Sequence, residues 1–435
     1  MVVAVLTGCG SVSDTPPDAA EVPVDAPDAP GTTVRVSTSG DDGNDGLVEP
    51  VKTLKRALGI ATANPEIVKI NVESGRYNAA TGETFPYTIT SNLIVAGPAG
   101  GGAIFEGNGT TPALTMERGR LQDLELEKFT VALTSSGPTD FAGIRIREAD
   151  VALRGETGSV ISANQIDVTG AVRACAIGIE LNGNANLTST AFVTRTLGTQ
   201  IDAKATSSFT MIGLNVTGEP GCTTPLFPIT TTGTVTLIDS LVGGGGGNGL
   251  SFASGATARI TNTIIRNLTG SGDAIGGRAN ITMTGGELTN NARAGMEVFA
   301  GTFTLTNVTI KQNGSMGLYV QGSSAAQPGI LKMRGCTVQG NGHGVYLFDF
   351  AQADFGTTAD PGNNTFTGNS SPGINVDGFG GPRLIEAVGN TWRPSVQSAD
   401  ATGKYPTTQT LVGGGANDLT GAVNFSINTN WSLRR

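Results

Sequence analysis

Short runs of alternating apolar and polar residues recur through the second half of the chain, and each is followed by an apolar residue and, three positions later, an asparagine. Alternation with a period of two predicts β-strands with one face toward a core and the other toward solvent. A β-sandwich would also alternate, but it would not repeat Asn and Gly at coil-like spacing. The asparagines are Asn267, Asn291, Asn313, Asn341 and Asn369, and the last four are followed by Gly295, Gly317, Gly344 and Gly373.

These asparagines lie 24, 22, 28 and 28 residues apart, and the longer intervals contain insertions such as 322–329. One triangular turn of three short strands needs about 22 to 24 residues, because each strand advances roughly 3.3 Å per residue. Turns between strands need left-handed or strained backbone, which Asn and Gly tolerate. Stacked turns bring equivalent residues about 4.8 Å apart, where Asn amides can hydrogen-bond to the next turn. The pattern therefore predicts an all-β chain wound as a single-stranded parallel β-helix over 65–391.

The alternation also predicts which side chains fill the interior of the coils. Cys336 aligns with an inward aliphatic position, so we expect it to be a buried free thiol. The residues predicted to point inward are Met296, Val298, Leu305, Val308, Ile310, Leu318, Val320, Met333, Cys336, Val338, Val345, Leu347, Ile374 and Val376.

The two ends of such a coil carry bare strand edges and need covers. A helix is expected near 52–63, where Leu54, Ala57, Leu58 and Ala61 share a face. We assign 34–64 to an N-terminal helical cap and 392–435 to an irregular C-terminal cap.

The first nine residues end in Leu-Thr-Gly-Cys, which resembles the bacterial lipobox, in which the cysteine is lipidated and becomes the first mature residue. We therefore expect 1–8 to be a shortened signal peptide, Cys9 to carry lipid, and the Pro/Ala/Asp-rich segment 9–33 to be a disordered tether. A start codon upstream of Met1 is expected, because the charged signal region is absent. This layout predicts a cell-envelope location, as an outer-membrane lipoprotein or a secreted protein.

Composition narrows the possible partners and chemistry. Charged residues make up 14% of the chain and the net charge is −9, so an acidic nucleic acid is not an expected partner. The chain has four cysteines without a CxxC pair and a single histidine, His343. The chain therefore has few residues that could ligate zinc or form a Cys/His catalytic site.

The segment 34–61 contains a strand, the turn GDDGNDG and an Ala-rich helix, and 70–90 contains the motifs GRY and GETFP. Together they resemble the N-terminal region of the domain-of-unknown-function 1565 family, which belongs to the pectate-lyase-like β-helix group. Segments 354–369 and 389–405 resemble the closing coils of such proteins. The resemblance implies a right-handed β-helix and an extracytoplasmic setting, and it implies no activity.

Tyr319 and Tyr346 occupy equivalent outward positions in neighbouring coils, and Glu297 and Asn375 extend the same column. Stacked outward tyrosines can hold sugar rings, or they can simply stabilise a ladder of side chains. We expect His343, beside this column, to be an exposed turn residue.

Two enzyme classes of this fold remain as alternatives. A lyase needs a calcium-binding carboxylate cluster and a basic residue; Lys311, Lys332 and Arg334 are candidate bases by position. The nearby acids Asp349, Asp354, Asp360 and Asp377 lie mostly at turns. A glycoside hydrolase needs carboxylates facing one cleft, and the sole Asp-Asp pair, at 41–42, precedes the coils.

The turn 40–46 offers hard oxygens for Ca²⁺, the one cofactor considered, from Asp41, Asp42, Asn44 and Asp45. The alternative is a polar turn that satisfies its own backbone, because the EF-hand spacing is absent.

Cys175 and Cys222 lie 47 residues apart, about two coils. In regular coils their Cα atoms would be near 10 Å apart, beyond the roughly 7 Å limit of a disulfide. A bond therefore requires one cysteine to lie in an excursion from the coil.

These observations predict a surface-displayed, non-catalytic β-helix lipoprotein, anchored to the membrane through its N-terminal lipid. It would bind glycan or neighbouring surface proteins, or act structurally. The alternative is an extracellular polysaccharide lyase or glycoside hydrolase, which should place carboxylates or a basic residue outward on consecutive coils.

Overall fold

The computed structural model describes residues 32–170, 174–370, 374–376, 383–392, 411–412, 423–425 and 431–434. The segments 1–8 and 9–33 lie almost wholly outside this range, and Cys9 is not described. None of the described helices is both long and apolar enough to cross a membrane.

Three ladders of parallel strands run the length of the fold, and successive strands of the chain visit the three in turn. We call them the first, second and third face. Three long strands bend at a corner and serve two faces each: Leu124–Ser135 (β9), Arg145–Gly155 (β11) and Ala294–Thr306 (β29).

The first face comprises Thr33–Val36 (β1), Lys69–Val72 (β2), Ile94–Ala96 (β5), Gly119–Gln122 (β8), Pro138–Ala142 (β10), Val160–Asn164 (β12), Asn186–Thr190 (β15), Ser208–Ile212 (β18), Thr234–Ile238 (β21), Thr257–Thr261 (β24), Asn280–Thr284 (β27), the end of β29, Gly329–Arg334 (β32), Ala351–Asp354 (β35), Arg383–Glu386 (β38), Leu411–Val412 (β40) and Trp431–Arg434 (β42).

The second face comprises Gly75–Tyr77 (β3), Ala103–Glu106 (β6), the starts of β9 and β11, Asp167–Thr169 (β13), Val193–Leu197 (β16), Asn215–Gly218 (β19), Leu241–Gly243 (β22), Ile264–Arg266 (β25), Glu287–Thr289 (β28), Thr309–Lys311 (β30), Thr337–Gln339 (β33), Thr365–Thr367 (β36) and Thr391–Trp392 (β39).

The third face comprises Tyr87–Ile89 (β4), Leu114–Met116 (β7), the ends of β9 and β11, Ile177–Leu181 (β14), Thr199–Ala203 (β17), Phe227–Ile229 (β20), Leu250–Phe252 (β23), Ile275–Arg278 (β26), the start of β29, Met316–Gln321 (β31), His343–Phe348 (β34), Ile374–Val376 (β37) and Val423–Phe425 (β41).

The interior is a continuous apolar column, as the alternation predicts. Every residue predicted to point inward is at most 1% exposed, apart from Val376, whose side chain is not described. Cys336 is a buried free thiol, as expected.

A file of asparagines runs through the corner before the third face. The Nδ2 of Asn291 donates to the Oδ1 of Asn313 at 3.0 Å, Asn313 donates likewise to Asn341 at 2.9 Å, and Asn341 to Asn369 at 3.1 Å. Each acceptor Oδ1 also receives the backbone N–H of the preceding asparagine. All four side chains are buried, so the file satisfies polar groups that would otherwise be stranded at the corner.

The glycine of the repeat makes room for this file. A Cβ on Gly295 would lie 2.7 Å from the carbonyl oxygen of Gly317 and 2.9 Å from the Nδ2 of Asn313. A Cβ on Gly317 would lie 2.6 Å from the carbonyl oxygen of Gly344 and 3.0 Å from the Nδ2 of Asn341. The repeat therefore couples a hydrogen-bonding residue with the small residue that lets the next coil approach it.

The placement of Asn267 in this file is wrong by one residue. Asn267 has a φ of 57°, in the left-handed turn position that Asn290 occupies in the next coil with a φ of 55°. The file position in the coil of Asn267 belongs to Leu268, whose backbone N–H donates to the Oδ1 of Asn291. Both positions favour Asn, the first for its left-handed backbone and the second for its amide, which is why the sequence confuses them.

The N-terminal helix, Leu54–Ala63 (α1), begins two residues after the expected start because Thr53 is its N-cap. Its buried residues Leu54, Ala57 and Ala61 face the coil end, as predicted. A single 3₁₀ turn covers Ala79–Thr81. Strand β1 already pairs with β2, so the first face begins inside the segment that we assigned to the cap.

Most of the C-terminal segment 392–435, which we assigned to an irregular cap, lies outside the described residues. Of its described residues, β41 pairs in parallel with β37, and β42 pairs with β38. In these strands the chain continues the third and the first face.

The asparagine file predicts a large loss of stability for Asn313→Ala. The change leaves the N–H of Asn291 and the carbonyl of Leu288 without their partner, and each buried unsatisfied group costs about 1–3 kcal/mol. We expect the free energy of unfolding from urea denaturation to fall by about 3 kcal/mol. Asn215→Ala, at an exposed position of β19, is the control and should change it by less than about 0.5 kcal/mol. Equal effects of the two variants would contradict a stabilising file.

Candidate functional site

One outward column on the third face brings together the residues that the sequence grouped. Gly276 of β26 aligns with Glu297 of β29, which aligns with Tyr319 of β31 and then with Tyr346 of β34 and Asn375 of β37. The side chain of Asn375 is not described. The column is outward because the residues on either side of Glu297, Tyr319 and Tyr346 point into the core.

Four aromatic side chains form what we call the aromatic platform: Phe299, Tyr319, Tyr346 and Phe348. The rings of Tyr319 and Tyr346 stack with centroids 5.7 Å apart and planes inclined by 18°. Phe299 meets Tyr319 edge-on at 6.4 Å, and Phe348 lies 6.5 Å from Tyr319. All four are partly exposed. The phenol of Tyr319 donates to the Oε1 of Gln321 at 2.9 Å, so the platform has an apolar surface with a polar rim.

His343 is not the exposed turn residue that we expected. It begins β34, is half-buried, and packs edge-on against Tyr346 with centroids 5.7 Å apart. Burial lowers the pKa of its imidazole, so the ring is neutral at pH 7. It therefore extends the platform as an uncharged ring.

A pair of buried acids lies at the Glu297 end of the platform. The side chain of Asp273 is fully buried and that of Glu297 is 6% exposed. Arg293 joins them, with Nη1 3.0 Å from the Oδ2 of Asp273 and Nη2 donating to the Oε1 of Glu297. The other carboxylate oxygen of Asp273 accepts the N–H of Ala294 at 2.9 Å. Glu297 is therefore an outward residue of the strand but not a surface residue.

Burial, together with the hydrogen bond to Glu297 and the charge of that group, raises the pKa of Asp273 to about 7. Two carboxyl groups in contact inside a protein cannot both ionise cheaply. Below about pH 7 the pair of acids therefore carries one proton.

Sequence reasoning missed Asp273, Arg293, Phe299 and Phe348. The two phenylalanines were within reach, since each lies two residues beyond a column residue on the same strand. Asp273 lies in the turn 270–274, which carries no repeat by which to align it. Its contact with Glu297 depends on a register that only the folded coil defines.

The turn 40–46 satisfies its own backbone, which was the alternative to calcium. Asp42 accepts the N–H groups of Lys52 and Thr53 at 2.9 Å, ahead of the helix. Asp45 accepts those of Leu47 and Val48, which lower its pKa. Asp41 accepts from Gly43, and Asn44 donates to Pro50. The polar side chains of all four residues are therefore engaged in local hydrogen bonds.

The candidate lyase residues are engaged in ion pairs. Arg334 contacts Asp354 and Asp360 at 2.9 and 2.8 Å, and Lys332 lies 3.5 Å from Asp360. Lys311 pairs with Glu287 at 3.0 Å. Asp377 lies outside the described residues.

The disulfide links Cys175 to Cys222, with Cα atoms 5.6 Å apart. Cys222 lies in the segment between β19 and β20, which leaves the regular coil and so shortens the distance that two coils would impose. Glu219 accepts from the N–H of Cys175. In the part of the chain that the structure describes, these three residues are the sole cluster with metal-ligand spacing, and the disulfide removes both thiolates that a metal would need.

A cavity of about 390 Å³ near the N-terminal end is lined by Glu83, Phe85 and Glu106, among others. Glu106 binds Lys128, Asn78 and Arg76, which lower its pKa to about 2. Glu83 accepts the N–H of Leu54 and so caps the helix. Both acids therefore serve the fold.

A family model described as a protein of unknown function (DUF1565) matches residues 38–219, and one described as a right handed beta helix region matches residues 228–391. A search of the curated proteins gave no match.

Among solved structures, the chain is similar to pectate lyase Pel9A, with 16% identity, a TM-score of 0.44, and coverage of 74% of this chain and 78% of that one. It is similar to the catalytic domain of a GH87 alpha-1,3-glucanase in complex with nigerose, with 11% identity, a TM-score of 0.50, and coverage of 81% and 70%. It is also similar to the periplasmic alginate epimerase AlgG, with 11% identity, a TM-score of 0.38, and coverage of 87% and 88%. These likenesses concern the fold.

The acid pair predicts a specific pH dependence of stability. The folded pKa of Asp273 lies above its ordinary value of 3.8, so the unfolded state loses this proton first as pH rises. The contribution of protonated Asp273 to the free energy of unfolding is fully present below about pH 4 and is lost as the pH rises to about 7. The Asp273→Asn variant carries a side chain that mimics the protonated acid at every pH. Its free energy of unfolding, measured by urea denaturation, should therefore rise relative to that of the wild type by on the order of 2 kcal/mol between pH 4 and pH 8.

Asp360→Asn is the matched control. Asp360 is exposed, and Arg334 lowers the pKa of its carboxyl group. Its effect on the free energy of unfolding therefore changes with pH only below about pH 4. Parallel stability profiles for wild type and Asp273→Asn would show that Asp273 does not hold the proton.

Proposed function

We propose that the chain, a right-handed parallel β-helix protein that carries a DUF1565 region, binds a glycan on the aromatic platform of its third face and does not transform it. The observation that carries the proposal is the stacked, partly exposed pair of Tyr319 and Tyr346, flanked by Phe299 and Phe348.

The platform presents the chemistry that a sugar ring needs. A pyranose has an apolar C–H face that packs on an aromatic ring, and hydroxyl groups at its edge that need polar partners. Binding sites combine apolar or aromatic surface with a few placed polar groups, and Gln321 and Arg293 supply such groups at the two edges. Parallel in-register strands also repeat the aromatic position about every 4.8 Å, a geometry that suits an extended polymer.

A glycoside hydrolase is the second candidate, and the Asp273–Glu297 pair is the observation that favours it. Retaining enzymes hold their carboxyl groups about 5–5.5 Å apart and inverting enzymes about 6.5–9.5 Å. Here the guanidinium of Arg293 holds both carboxyl groups, and the side chain of Asp273 is fully buried and so out of reach of a sugar ring. This geometry favours a structural role for the pair and supports binding over hydrolysis.

A lyase has less support. Its base must be free to take a proton from the sugar ring, whereas Lys332 and Arg334 are held by Asp354 and Asp360. The fold likeness to carbohydrate-active proteins shows architecture alone, so the proposal rests on the platform.

The proposal includes an extracytoplasmic location, with lipid on Cys9 and the segment 9–33 as a tether to the membrane. The disulfide between Cys175 and Cys222 supports this location, because disulfides persist in oxidising compartments.

Binding should depend on the two stacked rings. Tyr319→Ala combined with Tyr346→Ala should weaken binding to the best-bound polysaccharide by at least about tenfold, because a buried aromatic anchor contributes about 2 kcal/mol. Tyr319→Phe combined with Tyr346→Phe keeps both rings and should stay within about threefold of wild type. Affinity electrophoresis against a panel of soluble polysaccharides, followed by calorimetry, measures both.

The control pairs two outward residues on another face. Arg259→Ala with Thr282→Ala changes exposed neighbours of β24 and β27 that are also in register, and it should leave affinity unchanged. An intact affinity in the double alanine variant, with its melting temperature preserved, would contradict binding at the platform.

A further inference from the structure

The charged groups around the aromatic platform compensate one another. Over the described coil segments that frame it, 289–300, 312–328 and 339–350, Arg293 is the single Lys or Arg. Its guanidinium contacts both Asp273 and Glu297. The charge of this cation is therefore already offset by two carboxyl groups before any ligand anion arrives.

The acid pair and Arg293 together are close to neutral. The raised pKa of Asp273 leaves one proton on the pair below about pH 7, so one negative charge faces one positive charge. A ligand carboxylate brought here would displace Glu297 or Asp273 from the guanidinium, and a buried acid left without its partner is costly.

The rings also disfavour anions. The face of an aromatic ring carries the negative part of its quadrupole, so it attracts cations and repels negative charge. Tyr319 and Tyr346 turn one face toward each other, and the four rings, with the neutral His343 against Tyr346, offer no positive charge to a ligand anion.

The edges of the platform carry one charge of each sign. Arg278 is exposed and aligns with Ala300, beside Phe299, and Asp349 follows Phe348. A polyuronate carries a carboxylate on every residue and would need several cations along its path. The net charge of −9 opposes its approach as well.

We infer that the ligand of the platform is a neutral glycan, an unsubstituted hexose or pentose polymer without carboxylate or sulfate groups. This inference rests on the proposed function and names its substrate class. The carrying observation is the pairing of Arg293 with both acids beside four uncharged rings.

The test uses two pairs of polymers that share a backbone and differ in whether it carries charged groups. Fully methyl-esterified homogalacturonan and polygalacturonate share one backbone, and neutral xylan and glucuronoxylan make a second pair; a neutral glucan and alginate complete the panel. We expect the wild-type protein to bind at least one neutral polymer about tenfold more tightly than any charged one. Its affinity should change by less than about twofold between 50 and 500 mM NaCl, because salt screens only charged contacts.

The outcomes separate the two proposals. Tighter binding to a charged polymer, lost in the double alanine variant and weakened by salt, would overturn the neutral class while supporting glycan binding at the platform. If the protein binds no polymer in the panel, both glycan binding at the platform and the neutral ligand class are contradicted. The Arg278→Gln variant gives an independent check. Its affinity for the neutral polymer should stay within about twofold of the wild-type value. A loss of this affinity would show that a cation outside the platform recognises the ligand.

Discussion

The structure depends on the in-register stacking of parallel strands, which places each residue directly over its equivalent in the previous coil. Backbone hydrogen bonds hold the coils at a fixed step, but they do not by themselves choose the register. In the coils from 291 to 369 the buried asparagine file chooses it, because a slip of one residue would leave four amides unpaired inside the protein and move aliphatic side chains from the core to the surface. A second, shorter file, in which Asn364 donates to Asn390 at 2.8 Å below the backbone of Cys336, does the same at another corner.

The same stacking builds the candidate site. Tyr319 and Tyr346 meet because they are equivalent residues of neighbouring coils, and Glu297 lies one coil further along the column. The strand register, and not the conformation of a loop, therefore brings the rings of the platform together. Buried core residues precede each ring along its strand and fix the backbone that carries it, which lowers the conformational entropy that a ligand must remove on binding.

The features that repeat from coil to coil could be predicted from the sequence. The core positions from Met296 to Ile374, the buried thiol of Cys336 and the column through the two tyrosines follow from a period of two within a strand and a near-constant spacing between coils. The error at Asn267 arose because two adjacent positions both favour Asn. Features outside the repeat were not predictable: Asp273 comes from a glycine-rich turn, the Cys175–Cys222 bond depends on an excursion, and the described strands of the C-terminal segment show no repeated Asn and Gly to reveal them.

The central claim is that this coil displays a rigid, uncharged aromatic surface for a sugar polymer, with the acid pair buried beside it as support. A crystal structure of the protein with an oligosaccharide of its best-bound polymer tests this most directly. The account predicts a sugar ring lying against Tyr319 and Tyr346, with Arg293 still bonded to Asp273 and Glu297. A sugar bound on another face, or a glycosidic oxygen held against Asp273 or Glu297 after displacement of Arg293, would contradict it.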